Sequence, residues 1–157
     1  MNGPPSVATS LVGEAAQTAY GARLAKACRP PLLIYLQGDL GTGKTTLTRG
    51  LLRGLGHRGA VKSPTFTLIE PYELDGVRIY HLDLYRVGDP GELEYLGLRE
   101  MLADDAVILI EWPERGEGWL PSPDLWIRLR HQREGRRIEL QAVTQRGETV
   151  LSALTRD

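Results

Sequence analysis

Short apolar runs, broken by glycine and proline, organise this chain. Leu32-Leu33-Ile34-Tyr35-Leu36 and Val107-Ile108-Leu109-Ile110 are the clearest of them. Continuous apolar runs of this length, bounded by turn residues, predict strands buried on both faces. Leu11, Ala15, Thr18, Ala22 and Ala25 recur at spacings of three and four, which predicts a helix over 12–27 with Ser10 as its cap. Leu47, Leu51 and Leu52 share one side of a second helix, predicted over 44–54 and ending near Gly54 or Gly56. Residues 66–72 and 77–85 flank Asp75-Gly76 and read as a hairpin. Asp89-Pro90 opens a helical stretch to about 103 with a break near Gly97. Residues 125–131 and 137–143 predict a second antiparallel pair around Glu134-Gly135, and 145–155 a closing helix. Residues 1–9 read as extended and 113–123 as a loop. No repeat, low-complexity tract or linker interrupts the pattern, so residues 1–157 are expected to form a single domain. Strands alternating with helices predict a three-layer α/β fold, its mixed sheet extended by β-hairpins.

Composition narrows the function classes. Lysine and arginine total 19 against 20 acidic residues, a net charge of −1, which argues against capture of nucleic acid by the whole surface and leaves room for a local basic patch. The single cysteine, Cys28, rules out an intrachain disulfide and fits a reducing compartment, as in the cytoplasm. No apolar stretch approaches the ~20 residues of a membrane span, and the N-terminus lacks the basic start and apolar core of a signal peptide. Lysine is rare: Lys26, Lys44 and Lys62 are the only three. Where arginine is the default cation, a retained lysine points to a need for a compact charge.

One of those lysines lies in Gly38-Asp39-Leu40-Gly41-Thr42-Gly43-Lys44-Thr45, which fits the phosphate-binding pattern G-x-x-x-x-G-K-[ST]. Glycines let successive N–H groups turn toward phosphate oxygens, and the helix that starts near Lys44 adds its positive end. Lys44 then faces the β- and γ-phosphates, and the Thr45 hydroxyl faces Mg²⁺. Gly41, Thr42, Gly43, Lys44, Thr45 and Thr46 are the expected nucleotide-binding residues. For Thr46 the role is either an α-phosphate contact or a plain helix position. The apolar strand before the loop and the amphipathic helix after it supply the context that the motif requires.

Hydrolysis of a bound triphosphate needs acids nearby. Glu111 directly follows the second buried strand and is expected to hold Mg²⁺, directly or through water. Asp83, in His81-Leu82-Asp83-Leu84-Tyr85-Arg86, is expected to orient water or complete the metal shell, the alternative being a charged hairpin residue. His81 and Asp83 alternate with leucines and share one strand face. For His81 a structural role is favoured, and for Arg86 an exposed ion pair.

Taken together, these segments resemble the bacterial TsaE (YjeE) family. The likeness runs in order from the phosphate loop with Arg49-Gly50, through Val61-Lys62-Ser63-Pro64-Thr65-Phe66-Thr67-Leu68 and 81–86. It continues through Asp89-Pro90 with Glu92-Leu93-Glu94 to Ile110-Glu111-Trp112-Pro113, within about residues 10–145. The resemblance implies a cytoplasmic ATPase that cycles between ATP and ADP with Mg²⁺. It serves formation of N6-threonylcarbamoyladenosine in tRNA, acting with TsaD and TsaB and meeting tRNA indirectly through that complex. Carried over by position, Thr45 and Glu111 are metal ligands, Lys44 binds phosphate, Asp83 serves hydrolysis, and Lys62, Ser63, Pro64, Thr65, Phe66 and Thr67 form a mobile switch. Trp112 would lie beside the metal acid. Gln17 stands where the family often has threonine, near the adenine.

Two other classes share the loop. A small-molecule kinase would need an acceptor pocket and an arginine-bearing lid, and the cluster Arg128, Arg130, Arg133, Arg136 and Arg137 sits on a predicted hairpin instead. That cluster reads as a solvated face, with contact to tRNA phosphates as the alternative. A non-catalytic nucleotide-dependent module would not need both Glu111 and Asp83. A GTPase with an Asn-Lys-x-Asp guanine reader is excluded, because Asn2 is the only asparagine.

Overall fold

The computed structural model describes residues 5–65 and 67–156. Seven strands form one sheet: β1 (Ser6–Leu11), β2 (Leu32–Gln37), β3 (Ile69–Leu74), β4 (Val77–Asp83), β5 (Ala106–Glu111), β6 (Leu125–His131) and β7 (Arg136–Ala142). Their order across the sheet is β1-β7-β6-β2-β5-β4-β3. The middle is parallel, β4 with β5, β5 with β2 and β2 with β6, and both flanks are antiparallel. The two predicted apolar runs are the central strands, buried on both sides as their composition demands. The hairpins extend the sheet at its edges, as expected.

Among the described residues five α-helices flank the sheet: α1 (Glu14–Ala27), α2 (Lys44–Gly54), α3 (Glu92–Tyr95), α4 (Leu98–Ala103) and α5 (Gln145–Thr155). Alternation along the central strands divides the core. Leu32, Ile34, Leu36, Val107 and Leu109 pack with α1, α2 and α5. Leu33, Tyr35, Ile108 and Ile110 face the other way, onto Leu93, Leu98 and Met101 of α3 and α4. The result is the predicted three-layer arrangement. No helix among the described residues is long and apolar enough to cross a membrane.

Three expectations shift. Ser10 caps no helix: it lies in β1 opposite Arg137, and α1 begins at Glu14 after Gly13, whose φ of 89° suits glycine. Strand pairing won because β7 would otherwise present an open edge, and β1 supplies its ladder partners. The first hairpin strand begins at Ile69, since Leu68 turns left-handed at φ 68°. Its partner ends at Asp83, where the backbone leaves the sheet in a turn. The break near Gly97 is real: φ 80° there divides the stretch into α3 and α4.

The contact between α1 and α2 governs where the glycine loop sits. A methyl group on Gly21 would overlap the Leu47 carbonyl, and one on Gly50 would overlap the Thr18 carbonyl. Gly54 meets Ala22 and Ala25 in the same way. The two backbones thus touch along a seam of small residues. Gly50→Ala would gain helix propensity of about 1 kcal/mol, yet the overlap with backbone outweighs it. The expected net loss is about 2 kcal/mol in urea unfolding. Gly88→Ala, with open space around the added methyl, should stay within about 0.5 kcal/mol of the parent.

Candidate functional site

β2 runs straight into the glycine loop, and α2 begins at Lys44, as the motif predicts. Gly41 (φ 81°) and Gly43 (φ 95°) take left-handed conformations closed to other residues without strain. The loop is tied internally: Thr42 Oγ1 donates to the Asp39 carbonyl (2.8 Å), and its N–H reaches the same oxygen (3.3 Å). Thr42 is buried, and of the predicted loop residues it alone does not line the cleft described below.

Strand parity delivers the acids to the same place. Asp83 and Glu111 are register partners at the C-terminal ends of β4 and β5, and Leu36 at the end of β2 pairs with Glu111. His81, Asp83 and Glu111 share parity with Ile79 and Leu109, so all three face the α1–α2 layer. Next to them opens a cleft of about 370 Å³. Gly41, Gly43, Lys44, Thr45 and Thr46 line it from the loop, Asp83 and Glu111 from the sheet, and Ser63 and Thr65 from the following segment. Leu40, Tyr85 and Trp112 complete the wall.

The electrostatics centre on Lys44, which is only 6% exposed. Its Nζ donates to the Gly38 carbonyl (2.6 Å), lies 4.0 Å from Glu111 Oε1, and sits 4.2 Å from the ring centre of Trp112. Burial holds its pKa below the ordinary lysine value, opposed by the charges of Glu111, Asp83, Glu114 and Asp39. Glu111 uses its other oxygen on His81, Oε2 to Nε2 at 2.6 Å. His81 is fully buried, and its Nδ1 has no partner among the described residues. Asp83 accepts from the Tyr85 N–H (2.9 Å) and from Thr65 Oγ1 (3.1 Å), which in turn meets Ser63 Oγ at 2.8 Å. Asp83 is thus no exposed hairpin charge: it is 4% exposed.

The segment expected to act as a switch divides. Ser63 and Thr65 enter the cleft. The Pro64 carbonyl accepts from the Leu68 N–H (2.7 Å), Thr67 turns to Glu70 (3.0 Å), and Lys62 is exposed outside the cleft. Phe66 lies outside the described residues. Gln17 does not line the cleft: it is buried against the loop, its Nε2 donating to the Thr42 carbonyl (3.0 Å). Arg128 is engaged by Gln37, Gln141 and Glu139, and the predicted arginine cluster lies on β6, β7 and their turn. Sequence reasoning missed the His81–Glu111 bond and the indole over Lys44. Alternation in 81–83 put His81 on the right face, but only the pairing of β4 with β5 brings it to Glu111.

A parallel-strand edge that ends in a glycine loop and a helix, with acids on the adjoining strands, defines the P-loop class of α/β folds. The model of the TsaE family, threonylcarbamoyl adenosine biosynthesis proteins, matches residues 11–138. The Haemophilus influenzae tRNA threonylcarbamoyladenosine biosynthesis protein TsaE is 51% identical over 79% of this chain and 78% of its own length. The Bacillus subtilis protein of that name is 40% identical over 82% and 80%. The crystal structure of Bacillus subtilis YdiB superposes with a TM-score of 0.85 at 32% identity, over 99% of this chain and 98% of that one. The chain belongs to the TsaE family.

The His81–Glu111 bond can be weighed directly. His81→Leu removes the donor and leaves a buried carboxylate oxygen without it, at a cost of about 2 kcal/mol or more in the unfolding free energy. Arg99→Ala breaks only the exposed pair with Glu94 (3.3 Å) and should leave the unfolding midpoint unchanged.

Proposed function

We propose that this chain is the ATP-binding and ATP-hydrolysing component of the tRNA N6-threonylcarbamoyladenosine machinery, acting with TsaD and TsaB to support turnover. Residues 1–157 make up one P-loop ATPase domain, working in the cytoplasm and meeting tRNA through its partners. The observation that carries this reading is the convergence of Lys44, Thr45, Asp83 and Glu111 on one cleft beside the glycine loop. Family membership and the relatives' role as tRNA threonylcarbamoyladenosine biosynthesis proteins support the pathway.

Each residue's part follows from its chemistry. Loop N–H groups and the positive end of α2 receive phosphate oxygens. Lys44 gives up its bond to the Gly38 carbonyl for the β- and γ-phosphates, a charge-assisted exchange. The Trp112 ring packs against Lys44 Nζ at 4.2 Å and helps place it. Thr45, Asp83 and Glu111 offer hard oxygen donors of the kind that Mg²⁺ takes. Thr45 and Glu111 would hold Mg²⁺, which supplies charge neutralisation at the phosphates. Asp83 orients the attacking water or, through Thr65, the segment 62–67 that senses the nucleotide state.

ATP hydrolysis measured with and without TsaB and TsaD tests the whole reading: activity should rise with the partners, and absence of ATP binding would remove it. Lys44→Ala should weaken ATP binding by at least about 10-fold and abolish turnover, read by calorimetry and phosphate release. Glu111→Gln should weaken Mg²⁺-dependent nucleotide binding, while Asp83→Asn should keep ATP bound and lower hydrolysis by about 100-fold or more. Near-normal activity in both acid variants would sink the division of labour between them.

A further inference from the structure

Two side chains from outside the glycine loop hold two consecutive carbonyls of that loop. Gln17, on α1, donates from Nε2 to the Thr42 carbonyl at 3.0 Å. Arg136, the first residue of β7, donates from Nη2 to the Gly41 carbonyl at 3.0 Å. The two donors come from separate elements and pin adjacent peptide groups.

The consequence follows from peptide geometry. In a trans peptide the C=O and the next N–H point in opposite directions. With the Thr42 carbonyl drawn toward α1, the Gly43 N–H is aimed away from α1. A phosphate loop needs its N–H groups turned outward to the ligand before the ligand arrives. Gln17 also occupies the space that a side chain on Gly43 would take, and a methyl there would overlap the Gln17 amide. The fit is tight because Gly21, one turn further along α1, lets the helix backbone approach Leu47 and Leu51 of α2. Gln17 is 7% exposed, so its bond competes little with water. Arg136 holds its own turn as well, through Nη1 and the Gly135 carbonyl (2.9 Å). Its Nε is buried without a partner among the described residues, a cost accepted for the placement of the two terminal nitrogens.

We propose that Gln17 and Arg136 are positioning residues: Gln17 presets the Thr42–Gly43 peptide group of the loop for phosphate, and Arg136 braces the Gly41 carbonyl beside it, in the peptide whose Thr42 N–H is turned back to the Asp39 carbonyl (3.3 Å). The proposal rests on the phosphate-loop reading above. It gives Gln17 a task in this chain distinct from base contact: the amide acts on the loop backbone, so its loss should weaken diphosphate and triphosphate alike, whatever the base.

The test uses the full chain with Gln17→Met and Arg136→Met, which keep bulk and remove the donors. Gln17→Leu stands in should Gln17→Met not fold, with folding checked by the unfolding midpoint. ADP and GDP affinities are measured by calorimetry, and the backbone amide resonances of 41–45 are followed in the nucleotide-free protein. Each variant should weaken ADP by about 3- to 10-fold, the worth of one hydrogen bond. For Gln17→Met the ratio of ADP to GDP affinity should stay constant and the Gly43 amide resonance should move without nucleotide. ADP affinity within twofold of wild type in both variants, or an unmoved Gly43 resonance, would overturn the positioning role. Selective loss of ADP over GDP would instead mean that Gln17 contacts the base. Failure of the wild-type chain to bind any nucleotide would overturn the phosphate-loop reading itself, an outcome distinct from the other two.

Discussion

Everything at the site depends on the parallel register of β4, β5 and β2. Side chains on a strand alternate between faces, so a shift of one residue in either pairing would send Glu111 or Asp83 to the α3–α4 side. The observed register puts Asp83 opposite Glu111 and Leu36 opposite Glu111, which brings two carboxylates to the strand edge where the glycine loop emerges. Apolar packing enforces it. Leu82, Ile108 and Ile110 fill one layer, while Ile79, Val107 and Leu109 fill the other.

Buried charges at that edge are tolerable because they face one another. Glu111 lies between His81 and Lys44, and Lys44 between the Gly38 carbonyl and the face of Trp112. Such an arrangement is a poor source of stability, since desolvation offsets much of the attraction. Its retention points to use. Trp112 carries a related cost: a tryptophan at φ 56° is a left-handed outlier of about 1–3 kcal/mol. The turn before Pro113 sets its ring over Lys44 and within 5.0 Å of Tyr85. Backbone strain at Trp112 and desolvation of Lys44 and Glu111 therefore meet at one cleft.

The glycine loop gains its shape from its neighbours as much as from its own glycines. The small-residue seam of Gly21, Gly50 and Gly54 draws α1 onto α2, and the same approach seats Gln17 against Gly43. On the far side, the pairing of β6 with β7 carries Arg136 to the loop crest. The Gly-rich segment is thereby held from two sides by side chains outside it.

Local pattern was enough to specify the buried strands, the bounds of α2, the Asp75-Gly76 hairpin and the loop itself, because each depends on residues adjacent in the chain. Lys44, Thr45, Asp83 and Glu111 were legible as candidates for the same reason: a motif and two acids placed beside apolar runs. Ser10 joins β1 instead of capping α1 because capping chemistry is local, whereas the open edge of β7 that claims it lies more than a hundred residues away. Only the tertiary structure decided that His81 bonds Glu111, that Trp112 covers Lys44, and that Gln17 faces the loop backbone. Those contacts are set by strand register and helix approach, which arise when distant segments pack and leave no signature in the spacing of any one segment.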